Sequence, residues 1–95
     1  MKVEEQLYYS ELFDAYKPLL TQSQCNVIED YLNGNLTVSE IAENHSITRQ
    51  AVKDMVNKSL KKLEGCERKL HFVEKIDLLE KKIEVLEKQI KKGDF

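Results

Sequence analysis

The stretch Thr37 to Lys62, TVSEIAENHSITRQAVKDMVNKSLKK, constrains this chain more than any other. Thr37 with Glu40 three residues on is a capping-box pattern, which opens a helix. Val38, Ile41 and Ala42 recur at helical spacing, and Asn44-His45-Ser46 interrupts the run. Ile47 then returns to the apolar side and Thr48 is placed to cap a second helix. Val52, Met55, Val56, Leu60 and Leu63 form the buried stripe expected of that helix. Ala42 is small enough for the two helices to cross closely. Two short helices joined by a tight turn read as a helix-turn-helix, whose second helix usually enters the DNA major groove.

The rest of the chain also reads as helices. Only three Gly and one Pro occur in 95 residues, and 34% of the residues are charged against 41% apolar. That balance suits amphipathic helices around one small core and argues against disorder. A first helix is expected from about Val3 to Tyr16, ended by Pro18. Tyr8, Tyr9, Phe13 and Tyr16 give it a wide aromatic face, open to core packing or to self-association. A second helix opens at Thr21 with Gln24 as its capping partner, and Gly34 is expected to supply its left-handed exit.

Gly65 reads as a joint. The expected division is a helical domain over 1–64, holding the helix-turn-helix at 37–62, and a long amphipathic helix over 65–95. In the latter, Ile76, Ile83 and Ile90 fall at heptad a positions, and Phe72, Leu79 and Leu86 at d. Isoleucine at a with leucine at d favours a parallel two-stranded coil. Lys75 and Lys82 would then face Glu80 and Glu87 of a partner, whereas antiparallel pairing brings lysine to lysine. The expected interface of a homodimer is therefore Tyr9, Phe13, Phe72, Ile76, Leu79, Ile83, Leu86 and Ile90. The alternative is that the stripe folds back onto its own chain.

Charge is segregated along the chain. Residues 1–44 carry two lysines against eight acids, a net −6. Residues 45–62 carry five cations against Asp54 alone, a net +4, and residues 63–95 are neutral. Phosphate contacts dominate DNA affinity, so a DNA face belongs on the second helix of the motif. Arg49 can hold a phosphate or a guanine edge, and Gln50 has the amide for bidentate contact with adenine. Lys53 and Asn57 follow along the same flank. Thr37, Ser39 and Thr48 sit where hydroxyls near helix N-termini can donate to phosphates; for Thr37 and Thr48 the simpler role is capping. Lys58, Lys61 and Lys62 add long-range attraction.

Nothing in the sequence suggests an enzyme. No glycine-rich phosphate loop, nucleophile set or catalytic carboxylate pair is recognisable. Cys25 and Cys66 stand far apart, and His45 and His71 have no nearby ligand set, so no metal or cofactor is expected. The apolar runs are too short to span a bilayer, and the opening MKVEEQLYYSELF has acids where a signal peptide needs an apolar core. The expectation is a cytoplasmic protein.

LTQSQCNVIEDYL followed by LTVSEIAENHSITRQAVKDMVNKSLKKLE resembles region 4 of bacterial sigma-70-type factors. YYSELFDAYKPLLTQSQ, SEIAENHSITRQAVKD and ERKLHFVEK together resemble the YlxM family more closely, over about residues 7 to 80. The resemblance implies an all-α, sigma-region-4-like helix-turn-helix domain with a long C-terminal helix, and DNA binding. It also implies an association with the signal recognition particle pathway, either alongside DNA binding or as a protein-interaction adaptor without it; RNA is a third possible partner. Sigma-type motifs usually carry Gly where Ser46 stands. A left-handed non-Gly residue costs about 1–2 kcal/mol, so either the turn differs or Asn44 takes the unusual geometry.

Overall fold

A computed structural model describes residues 1–93. Five α-helices and no strand occur among them: α1 (Val3–Tyr16), α2 (Gln22–Ile28), α3 (Val38–His45), α4 (Arg49–Leu70) and α5 (Phe72–Lys91). A 3₁₀ turn, Lys17–Leu19, follows α1 at Pro18. A π turn, Glu29–Asn33, extends α2. The molecule measures 61 × 26 × 22 Å.

The expected caps form. Thr21 Oγ1 accepts from the Gln24 N–H at 3.1 Å while Gln24 Oε1 accepts from the Thr21 N–H at 3.0 Å. Thr37 and Glu40 make the same reciprocal pair at 3.2 and 3.1 Å. These bonds satisfy amide donors that the first helical turn leaves without intrahelical partners.

The core lies where α1, α2 and α3 close on one side of α4. Leu12, Phe13, Ile28, Ile41, Val52 and Leu63 are fully enclosed there. Each such side chain contributes about 1.5–3 kcal/mol by leaving water. Phe13 was expected at a self-association surface; its complete burial excludes it from any interface. Tyr16 is also core, and Tyr9 is half-buried against it. Leu12 takes the central place in the stripe of α1, whereas Leu7 and Tyr8 remain exposed.

Two backbone expectations need correction. Gly34 is right-handed (φ −80°), and Asn35 takes the left-handed geometry (φ 53°). The Leu36 N–H then reaches back six positions to the Asp30 carbonyl at 3.2 Å, one residue wider than a Schellman exit, as the preceding π turn requires. Gly34 is demanded by space: a Cβ there would lie 2.9 Å from the Asp30 carbonyl oxygen.

Gly65 is not a joint. α4 runs through it unbroken for 22 residues, because Cys66, like Leu60, still packs against the core and holds the helix down. The expected boundary at 64/65 thus falls inside α4. The break comes at His71, which is left-handed (φ 54°). The last two residues of the expected 65–95 helix, Asp94 and Phe95, lie outside the described residues.

α5 folds back only over its first turn. Phe72 stacks on Tyr16 with ring centroids 6.0 Å apart, and Val73 is buried. From Ile76 to Ile90 the apolar stripe is exposed.

Candidate nucleic-acid interface

The turn before α4 is built by its backbone. Ser46 itself is left-handed (φ 54°, ψ 43°), while Asn44 stays within α3. Neither expected alternative holds: the turn keeps its left-handed residue, and Ser46 itself, not Asn44, carries the strain. The Ile47 N–H bonds the Ala42 carbonyl at 3.0 Å and the Ser46 N–H the Glu43 carbonyl at 3.3 Å, closing a Schellman exit. Ile47 packs against the core and points the chain into α4. Thr48 Oγ1 accepts from the Ala51 N–H at 3.0 Å, starting that helix.

A second tether fixes α3. His45 Nε2 lies 2.6 Å from Asp30 Oδ2, joining the end of α3 to the π turn. Gln6 Nε2 donates to the Leu32 carbonyl at 2.8 Å, so α1 braces the same turn. The sequence pattern gave no sign of either contact, because both join residues remote in the chain.

With α1, α2 and α3 on one side of α4, its other side is open. Arg49, Gln50, Lys53 and Asn57 are all exposed, and Lys61 extends the line one turn beyond Asn57. Among the described residues no carboxylate forms a salt bridge with Arg49, Lys53, Lys58, Lys61 or Lys62. The cations thus keep their charge free for an external anion. One acid sits among them: Asp54 Oδ1 accepts from Gln50 Nε2 at 3.0 Å, holding the amide that would read a base.

Thr37, Ser39 and Thr48 are exposed as well. Thr37 and Thr48 serve as caps, and capping uses only their oxygen lone pairs, so each hydroxyl proton can still be donated. Glu40, the partner of Thr37, is held below the usual carboxylate range chiefly by the hydrogen bond from the Thr37 backbone N–H.

The far half of α4 is secured by two tyrosine–glutamate contacts. The Tyr9 hydroxyl donates to Glu64, and this bond, with desolvation behind it, pushes the phenol up to about 12. Tyr16 donates to Glu67 Oε1 at 2.6 Å, and its phenol is raised by burial and by that bond. Burial alone would raise the Glu67 carboxyl. Hydrogen bonds from Tyr16 and from the Val73 and Glu74 backbone outweigh it and hold the group below its ordinary value.

Among the described residues no cluster of His, Cys, Asp and Glu is arranged to hold a metal ion, and both cysteines are free. No helix among the described residues is long and apolar enough to cross a membrane.

The family of helix-turn-helix proteins described as YlxM / p13 like matches residues 3–94. A UPF0122 protein of Mycoplasma mycoides is 44% identical over 77 residues, covering 81% of this chain and 68% of its own length. One from Clostridium acetobutylicum is 40% identical over 89 residues, covering 94% and 73%. One from Lactiplantibacillus plantarum is 39% identical over 85 residues, covering 90% and 72%.

Proposed function

We propose a DNA-binding regulatory role for this chain, which belongs to the YlxM / p13 like family of helix-turn-helix proteins. The observation that carries it is the open side of α4. Arg49, Lys53, Lys58, Lys61 and Lys62 are exposed there with Gln50, and none of these five cations has a carboxylate partner among the described residues. On this reading α4 enters the major groove. Arg49 and Gln50 meet base edges, Lys53 and Asn57 follow the strand, and the Thr37, Ser39 and Thr48 hydroxyls donate to flanking phosphates. A net +4 on this segment gives weak, salt-sensitive binding by a single copy. The protein acts in the cytoplasm as a non-enzymatic regulator.

The test is titration of mixed-sequence duplex DNA at low salt. Arg49→Ala with Lys53→Ala should lower affinity and reduce the salt slope by about 2. Unchanged binding would remove α4 as the contact.

A second reading is an adaptor within the signal recognition particle pathway that binds no DNA. The net −6 of residues 1–44 favours it, since that surface repels a polyanion. Capture of the particle's GTPase by the tagged chain, with no retardation of DNA, would establish this reading in place of the first.

A further inference from the structure

Beyond its first turn, α5 presents an oily seam to water. Ile76, Leu79, Ile83, Leu86 and Ile90 are each 46–59% exposed. They form one continuous row at alternating three- and four-residue steps. A row of this kind on a charged helix is the seam of a two-helix contact whose other half is missing.

The charges beside the row indicate what the other half is. Lys75 and Lys82 flank it on one side, Glu80 and Glu87 on the other. Within one helix, Lys75 and Glu80 are five residues apart and do not face each other. The same holds for Lys82 and Glu87. Among the described residues none of the four forms a salt bridge; in α5 beyond its first turn the one ion pair, Lys88 with Glu84 at 3.7 Å, lies away from the seam. A further acidic feature adjoins the seam near Ile76. The groove between α1 and α5 is lined by Glu11, Asp14, Asp77 and Glu80 together with Ala15, Val73 and Ile76. No cation of the chain lines it.

We infer that a second copy of this chain covers the seam, with the two α5 helices side by side and parallel. In that register the partner's Lys75 meets Glu80 and the partner's Lys82 meets Glu87. Two-fold symmetry repeats both contacts, making four attractive pairs. The partner's Lys75 also brings a cation beside the groove that Glu11 and Asp14 line. Antiparallel packing would set Lys82 against its own copy and Glu80 against Glu87. A foreign basic helix would satisfy the groove but leave Lys75 and Lys82 without acids. Only the parallel second copy uses all four flanking charges. The exposed part of α5 spans roughly three heptads, which is short for an isolated coil, so the groove supplies contacts the seam alone lacks.

Sedimentation equilibrium of the full chain without DNA tests this, so the result is independent of whether α4 binds DNA. The expected mass is twice 11.1 kDa. Ile83→Asp should give single chains that keep the cooperative unfolding of the core, because Ile83 lies outside it. Lys75→Glu with Lys82→Glu should weaken association by about tenfold to a hundredfold, and Glu80→Lys with Glu87→Lys likewise. Mixing these two charge-reversed chains should restore a dimer. A single-chain mass at every concentration overturns the inference. So does a dimer unaffected by the charge reversals, or a mixture that fails to reassociate.

Discussion

Tyr16 and Glu67 meet at 2.6 Å, hydroxyl donating to carboxylate, at the point where α4 ends and α5 begins. Around this pair the first three amides of α5 find acceptors. Phe72 N–H donates to the Tyr16 oxygen at 3.2 Å, and the Val73 and Glu74 N–H groups donate to Glu67 at 3.0 and 3.1 Å. A glutamate of one helix thus caps the next, and a tyrosine of α1 completes the cap. Tyr16→Phe should cost about 1–2 kcal/mol in urea unfolding, since the buried pair loses one bond and the Phe72 amide loses its acceptor. Glu67→Ala should cost more. Equal stability of all three proteins would mean that the cap is not formed in solution.

Acid should loosen the same joint. The Glu67 carboxyl is held below its ordinary value of 4.5 in the fold. Its contribution is therefore fully present above 4.5 and is lost as the pH falls through the lower, folded value. Glu67→Gln should be less stable at neutral pH and lose less stability on acidification. Parallel pH profiles for the two proteins would contradict the assignment.

At high pH the Tyr9 phenol should titrate late. The Tyr9 phenol stands at about 12 against an ordinary 10.0, so its contact with Glu64 is intact below 10.0 and is lost as the pH climbs toward about 12. Phenolate absorbance should show a late component that Tyr9→Phe removes. Ionisation of every tyrosine near the ordinary value would show that Tyr9 and Glu64 do not meet.

Two glycines should respond in opposite ways to alanine. Gly65 lies inside α4 with nothing within 4 Å of a built Cβ, so Gly65→Ala should stabilise by about 0.5–1 kcal/mol. Gly34→Ala should destabilise, because its methyl would press on the Asp30 carbonyl at 2.9 Å. Thermal unfolding of both variants decides. A loss of stability in Gly65→Ala would mean that α4 is interrupted there.

On the proposed DNA face, Asp54 opposes its neighbours. It repels phosphate and holds Gln50 at 3.0 Å. Asp54→Asn should raise duplex affinity at low salt by about threefold to tenfold. Unchanged affinity would place the DNA contact elsewhere or nowhere on α4.

The sequence made legible those features whose cause lies within a few residues. Thr21 with Gln24, Thr37 with Glu40, and Thr48 each announce a helix start, and each forms its cap. The stripe from Val52 to Leu63 was legible for the same reason, apart from Ser59, which is fully buried with no hydrogen-bond partner among the described residues. Left-handed positions were read from residue type, which pointed to Gly34 and Asn44, yet Asn35 and Ser46 hold them. What displaces them is a carbonyl one turn back that must be reached, a constraint the residue names do not carry. Gly65 misled because Cys66 still packs against the core and holds α4 straight across it. The exposed flank of α4 was legible as the reverse of its buried stripe. The restraint on Gln50 by Asp54 is local too, four residues apart, but a charge count records Asp54 only as one negative charge. The burial of Phe13 depends on which helix covers α1, and the sequence leaves that open.

The 61 Å long axis, more than twice either width, has a hydrodynamic consequence. A lone chain of this shape drags like a sphere of larger mass. It should leave a sizing column early, and a single copy can pass there for a pair.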